Sequence, residues 1–204
     1  MNEKKISITV LLPAGRLPLD IMAKAHELAG RYDLGIYCSL TQNMRLINVP
    51  ESAVDNVKNE LAELGADFKG PGKFPLPRIC VGKDHCSLGL VDTEELSGRI
   101  TARFAGREKT KAKFKIAICG CPLNCSSPKE TDIGVVATKK GYEIYAGGKG
   151  GAFPKIGRRI KREATADEVV DIIATLVDFH HEKTKTKQRM YKLLADPEFP
   201  FAEV

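Results

Sequence analysis

The stretch KIAICGCPLNCSSPKETDIGV, residues Lys115 to Val135, decides how the chain is read. Ile116 to Cys119 form a short apolar run closed by glycine and proline, the pattern of a buried strand. It opens into a loop that carries Cys121 and Cys125 at C-x3-C spacing, with Cys119 immediately before them. A second pair, Cys80 and Cys86, stands at C-x5-C spacing about 35 residues upstream, again on a loop. Four thiols presented this way suit a metal centre. Structural zinc usually draws its ligands into tighter C-x2-4-C knuckles, whereas a four-iron cluster is larger and tolerates wider loops. Zinc, an iron-sulfur cluster and unrelated core cysteines all remain open at this point. Cys38 and Cys119 lie in strand-like runs and read as small buried residues; His85, beside Cys86, reads as a solvent histidine.

The bulk of the sequence narrows the classes. With 204 residues the chain can form one substantial domain or two small ones, and no apolar run approaches the roughly 20 residues of a membrane helix. The opening MNEKKISITVLLPAG has too short an apolar stretch for a signal peptide, so a cytoplasmic location is expected. In a reducing compartment, clustered cysteines point to metal or redox chemistry rather than disulfides. The net charge of +6 fits a solvated surface, a nucleic-acid footprint, or a pocket for an anionic ligand. Tryptophan is absent and aromatics make up 6%, which leaves few stacking platforms, so no nucleic-acid partner is expected.

Periodicity predicts an α+β chain. Ile6 to Leu12 read as a strand, followed by a helix striped by Leu17, Ile21, Ala25 and Leu28. Strands at Gly35 to Ser39 and Met44 to Val49 come next, then a helix carrying Val54, Val57, Leu61 and Leu64 that stops at Gly65. The glycines and prolines of GADFKGPGKFPLPRICVG break regular structure and mark a connector between domains at 1–70 and 71–204. Asp92 and Glu95 start a helix with Leu96, Ile100 and Phe104. Asp132 to Thr138 and Tyr142 to Tyr145 form a hairpin. Thr165 and Glu168 make a capping box for a helix with Val169, Ile172, Ile173, Leu176 and Val177. A basic helix from about Lys183 to Leu194 precedes the tail. In AKFKIAI, alternation places Lys113 and Lys115 on one face of a strand. Pro122 fixes φ and donates no hydrogen bond, which suits a turn that aims Cys121 and Cys125 together.

CVGKDHCSLGLVDTEEL and FKIAICGCPLNCSSPKETDIGV together resemble the paired signature of the siroheme-dependent nitrite and sulfite reductases. SLTQNMRLINV is similar to that family's ferredoxin-like half-domain strand, and YEIYAGGKGG to its glycine-rich turn. The resemblance implies a ferredoxin-like half-domain over 1–70, followed by an α/β siroheme and 4Fe-4S domain with C-terminal helices over 71–204. It implies Cys80, Cys86, Cys121 and Cys125 as cluster ligands, with Cys125 bridging to siroheme. Lys113, Lys115 and Arg45 take the catalytic, anion-facing roles. Arg16, Thr41, Gln42, Arg45, Gly147, Gly148, Lys149 and Gly150 are implied in cofactor binding, with Gly151 and Arg78 as further candidates. Two positions depart from the family pattern, since Thr41 and Leu76 stand where arginines are expected.

The full-length enzymes carry two copies of this unit and this chain has one, so it resembles the small assimilatory-type sulfite reductases and implies a homodimer. The implied activity is multi-electron reduction of sulfite to sulfide, or nitrite to ammonia, with a low-potential donor such as ferredoxin. A non-catalytic iron-sulfur subunit without siroheme turnover is the second reading. A zinc-stabilised nucleic-acid-binding module is the third.

Overall fold

The computed structural model describes residues 3–111, 113–185 and 188–204. It divides into two compact units, Met1–Gly70 and Pro71–Val204.

The first unit runs β1 (Lys5–Leu11), α1 (Leu19–Tyr32), β2 (Gly35–Cys38), β3 (Met44–Pro50), α2 (Val54–Ala62) and β4 (Asp67–Phe68). Its sheet is antiparallel throughout, in the order β2-β3-β1-β4, the ferredoxin-like arrangement. Alternation on the strands sends Ile8, Val10, Met44 and Leu46 to one face. Against them pack Ile21, Ala25 and Leu28 of α1 and Val57 and Leu61 of α2, closing one core. Asp33 ends α1 in the left-handed region at φ 54°, where its N–H and that of Leu34 satisfy the Ala29 carbonyl. The connector expected to lack regular structure contains β4, which pairs only Val10 with Phe68 and Leu11 with Asp67. Two residues are too few to leave a periodic trace.

The second unit holds a five-stranded sheet of β5 (Arg78–Ile79), β6 (Ile116–Cys119), β7 (Ile133–Thr138), β8 (Gly141–Ala146) and β9 (Arg158–Ala164), adjacent in that order. β5, β6 and β7 are parallel, while β8 and β9 turn back antiparallel. All of β6 and most of β7 are buried, as expected of central parallel strands. α3 (Thr93–Arg103) makes the crossover from β5 to β6, and α4 (Ala166–Lys183) follows β9 and packs on α3 and the sheet. The Asp92 carboxylate accepts the N–H groups of Glu94 and Glu95, and Thr165 with Glu168 forms a reciprocal capping box.

One strand was not foreseen, and one expected helix is absent. β9, with the sequence RRIKREA, hides its strand pattern behind charge, although Ile160 and Ala164 face inward. The basic helix expected from Lys183 to Leu194 does not form. Thr186 and Lys187 lie outside the described residues, and beyond them only a 3-10 turn, Met190–Lys192, is present. The reason is tertiary: Arg189 and the backbone of Met190 are hydrogen-bonded to Asp132 at the head of β7 instead of to a helix.

Candidate metal centre

Parallel pairing sets Arg78 beside Ala117 and Ile79 beside Ile118, and the Cys80 N–H reaches the Ile118 carbonyl at 3.2 Å. Cys80 therefore leaves β5 next to the point where Cys119 ends β6. The loop after Cys80 turns at Gly82 (φ 69°), where an added Cβ would meet Thr93 and Val91 atoms at about 3.0 Å. It closes a tight turn from Gly89 N–H to the Cys86 carbonyl and returns to β6 through Leu90 N–H to Gly120 O, 2.8 Å.

The second loop is pinned from below. Gly120 N–H donates to Cys80 Sγ at 3.0 Å, Ser126 Oγ–H to Ile118 O at 2.6 Å, and Arg78 Nε–H to Ser126 O at 2.8 Å. Asn124 (φ 62°) and Ser127 (φ 50°) take the left-handed turns that bring the chain past Cys125. Arg78, considered for an anion pocket, is thus engaged in holding this loop, with a further contact to Thr131 Oγ1 at 3.3 Å.

The two loops bring Cys80, Cys86, Cys121 and Cys125 into one neighbourhood, and Cys119 with them. Cys125 is pushed up by the sulfurs of Cys119, then by burial, then by Cys121 and Cys86. Burial pushes Cys80 up, and the Gly120 and Gly82 N–H groups oppose it. At Cys119 burial raises the thiol pKa, but the N–H groups of Ser126, Cys121 and Cys125 with the Ser126 hydroxyl outweigh it and bring it down. All are free thiols; Cys119 and Cys121 are buried, Cys80 and Cys86 half-buried, and Cys125 exposed. Among the described residues no three His, Cys, Asp or Glu side chains are disposed about a single ion. An all-thiol set spread over two long loops matches the ligand chemistry of an iron-sulfur cluster.

Other positions divide. Cys38 is not buried: it ends the edge strand β2 and faces solvent. His85 is exposed. Lys113 and Lys115 precede the strand, which begins at Ile116, so neither lies within it. Both are exposed on either side of buried Phe114, whose ring packs on His180 with centroids 4.8 Å apart.

Gly147 and Gly148 are buried, and their lack of a side chain is explained by the chain itself. A Cβ on Gly147 would strike Leu194 at 2.5 Å, and one on Gly148 would strike Lys129 O at 2.3 Å. Gly150 and Gly151 are exposed. They lie in a loop closed by reciprocal hydrogen bonds between Lys149 and Lys155, whose ammonium groups both stand about 5 Å from the Tyr191 ring centroid.

In the first unit, Leu12 N–H donates to Asn43 Oδ1 at 3.0 Å, and Gly15 (φ 71°) backs onto the Gln42 side chain. Arg16, Thr41 and Gln42 thereby share one end of that sheet. Thr41 is tied into its turn, with Oγ1 3.0 Å from Ser39 Oγ and its carbonyl accepting from Asn43 Nδ2. Arg45, opposite Thr9 and Tyr37, has a buried Nε with no hydrogen-bond partner.

Sequence reading missed Asp132, taken only as the first residue of a strand. It is fully buried. Its Oδ1 accepts Arg189 Nε–H at 2.7 Å and Met190 N–H at 3.0 Å, and its Oδ2 accepts Lys115 N–H at 3.1 Å. Its carbonyl accepts Gly147 N–H at 2.8 Å, and Arg189 reaches on to Gly148 O. One carboxylate thus fixes the backbone at Lys115, the glycine turn and the C-terminal segment. Its sequence signal is an acid at the head of an otherwise apolar run.

Comparison with known proteins joins these features. The sequence profile described as "Nitrite and sulphite reductase 4Fe-4S domain" matches residues 76–197, and that of the "Nitrite/Sulfite reductase ferredoxin-like half domain" matches 1–64. The chain belongs to the nitrite and sulphite reductase family. Within that family it is 27% identical to "Sulfite reductase, assimilatory-type" of Nitratidesulfovibrio vulgaris, over 89% of this chain and 83% of that one. It is also 27% identical to "Nitrite reductase [NAD(P)H]" of Emericella nidulans, covering 92% of this chain but only 17% of that much longer protein. Dissimilatory sulfite reductase I superposes over 91% of this chain and 65% of that one with TM-score 0.77 at 14% identity. The Mycobacterium tuberculosis NirA protein does so over 92% and 37% with TM-score 0.74 at 20% identity. This nitrite and sulphite reductase family member shares their fold.

Proposed function

We propose that the chain is a siroheme- and 4Fe-4S-dependent reductase acting on sulfite or nitrite. It works as a homodimer supplied by a low-potential donor such as ferredoxin. The observation that carries this reading is the convergence of two cysteine loops at the ends of β5 and β6, with one of the four paired sulfurs, that of Cys125, exposed. The similarity to proteins named sulfite reductase and ferredoxin--nitrite reductase supports the substrate class and the donor.

When bound, the cluster and siroheme would supply the electrons and the iron at which the oxyanion is reduced. The protein's own part follows from its residues. Cys80, Cys86, Cys121 and Cys125 would hold the cluster, and Cys125, the exposed one, would be the sulfur open to sharing with siroheme. Exposed Val81, Leu88 and Leu123 on the same two loops give an apolar rim suited to a macrocycle face and keep water from it. Lys113 and Lys115 supply positive charge and protons at Nζ to an anionic substrate. Lys149 and Lys155 attract cofactor carboxylates. Within the first unit, Arg16, Thr41, Gln42 and Arg45 offer donors of the kind an anion takes.

Thr41, in a position where relatives are expected to carry arginine, favours one competing reading: an iron-sulfur subunit that does not turn over. Protein purified without oxygen separates the two. Siroheme absorption with iron, acid-labile sulfide and viologen-driven consumption of sulfite or nitrite supports the reductase. Iron and sulfide without siroheme or turnover supports the subunit, and zinc alone defeats both.

A further inference from the structure

Five of the six cysteines gather where β5 and β6 end, and the proposed cluster uses four of them. The fifth, Cys119, is fully buried. Its buried neighbours Ala117 and Ile118 on the same strand, and Val136 opposite, are aliphatic, so packing does not require a sulfur at this position.

What surrounds that sulfur gives it a role. The backbone N–H groups of Cys121, Cys125 and Ser126 hydrogen-bond to Cys119 Sγ, and Cys80 Sγ lies within hydrogen-bonding reach of it. The contact with Cys80 follows from the register, since Ile79 pairs with Ile118 and the next residue on each strand is a cysteine. Cys80 Sγ also accepts the Gly120 N–H at 3.0 Å. Cys119 therefore touches the first loop through the sulfur of one proposed ligand and the second through the backbone of two others. A four-iron cluster takes four thiolates, which the two paired loops already supply. A thiol has one proton to give. With Cys80 committed as a thiolate ligand, a second anionic sulfur beside it would be repelled, so the contact between the two holds when the proton stays on Cys119.

We propose that Cys119 is a positioning residue for the cluster and not one of its ligands. Its sulfur gathers the N–H groups of Cys121, Cys125 and Ser126, and its S–H donates to the Cys80 thiolate. The proposal rests on the iron-sulfur reading above. Hydrogen bonds to the sulfurs are among the factors that set a cluster's potential. Reduction adds negative charge, so a donor at a ligand sulfur favours the reduced state and its removal lowers the potential.

Mediated redox titration of the anaerobically purified holoprotein tests this, with iron and acid-labile sulfide measured on the same samples. Cys119→Ala should keep wild-type iron, sulfide and far-UV circular dichroism, with the cluster potential shifted downward. Cys119→Ser restores a donor and should return part or all of that shift. Loss of iron and sulfide from folded Cys119→Ala would make Cys119 a ligand, and an unmoved potential would make it packing alone; either overturns the proposal and leaves the iron-sulfur reading standing. A serine variant displaced as far as the alanine variant also overturns it, because the hydrogen bond is then not the cause. Wild-type protein without iron and sulfide overturns the proposal and the reading together. An independent arm leaves residue 119 intact: in Cys38→Ser holoprotein the four ligands are deprotonated, so Cys119 is the one thiol left of the six cysteines. Its infrared S–H band should be present and lowered by hydrogen bonding, and the absence of that band overturns the donor role.

Discussion

Removing the Asp132 carboxylate is the most informative single perturbation of the second unit. The group is fully buried and accepts from Arg189 Nε, Met190 N and Lys115 N at 2.7, 3.0 and 3.1 Å. In Asp132→Ala these donors lose their acceptor together, and Arg189, only 20% exposed, keeps just the long contact to Gly148 O. Breaking a buried ion pair by deleting one partner costs about 3–5 kcal/mol, much of it from the charge left behind. Two orphaned backbone donors add to this, so at least about 4 kcal/mol is expected, a large share of the ~5–15 kcal/mol that holds a typical domain. Asp167→Ala is the control, since its pair with Arg99 is surface-exposed and worth at most about 1 kcal/mol. Urea unfolding followed by circular dichroism under anaerobic conditions gives both values. Because the cost comes from stranded partners, the double variant Asp132→Leu, Arg189→Leu should be more stable than Asp132→Leu alone. An Asp132→Ala loss no larger than that of Asp167→Ala, or a double variant worse than the single, would refute the reasoning.

Three further outcomes are expected. Cys86→Ser should lose iron and acid-labile sulfide together, measured on anaerobically purified protein, whereas Cys38→Ser should keep wild-type contents of both. Gly148→Ala places a methyl 2.3 Å from the Lys129 carbonyl, so strain of about 2–4 kcal/mol should lower the urea midpoint, while Gly150→Ala, in open space, should leave it within about 0.5 kcal/mol. His180 packs on Phe114 with Nε2–H donating to Gln188 O, and burial pushes its pKa below the usual value; Asp132 opposes this, and Lys111 and His181 add to it. The unfolded chain therefore takes up a proton first as pH falls below about 6.5, and stability is lost from there down through the folded-state pKa. Urea midpoints between pH 8 and pH 5 should show that decline, and His180→Gln should flatten it.

The parts of the fold that were legible carry strong local signals. Ile21, Ala25 and Leu28 recur at helical spacing, and the Thr165–Glu168 box marks the start of α4 directly. The cysteine loops announced themselves because glycine, proline and cysteine have few other reasons to cluster. What stayed hidden is decided at long range. β4 and β5 exist through pairing with β1 and β6, and two residues carry no period. Arg189 and Met190 look helical in composition, yet Asp132, 57 and 58 positions away in sequence, claims their donors. Cys38 has the setting of a strand residue, but whether a strand is central or at an edge is not written in its own residues. Cys119 is buried, as its strand setting implies, but only the parallel register places it beside Cys80.

Glycine is often retained where a ligand must approach the backbone, and that logic pointed to Gly147 and Gly148. Here both are already required by Leu194 and by the Lys129 and Thr131 backbone, and the Gly147 N–H is engaged by Asp132. They need no ligand to explain them. The residues left to meet a polycarboxylate are the half-buried Lys149 and the exposed Lys155, steadied over Tyr191, with the exposed amides of Gly150 and Gly151 between them. Asp132 links this loop to Lys115 through its carbonyl on one side and its carboxylate on the other. A change at either end of that link should therefore be felt at the other, which makes the buried carboxylate, more than any glycine, the residue on which the geometry of the lysines proposed to meet anions depends.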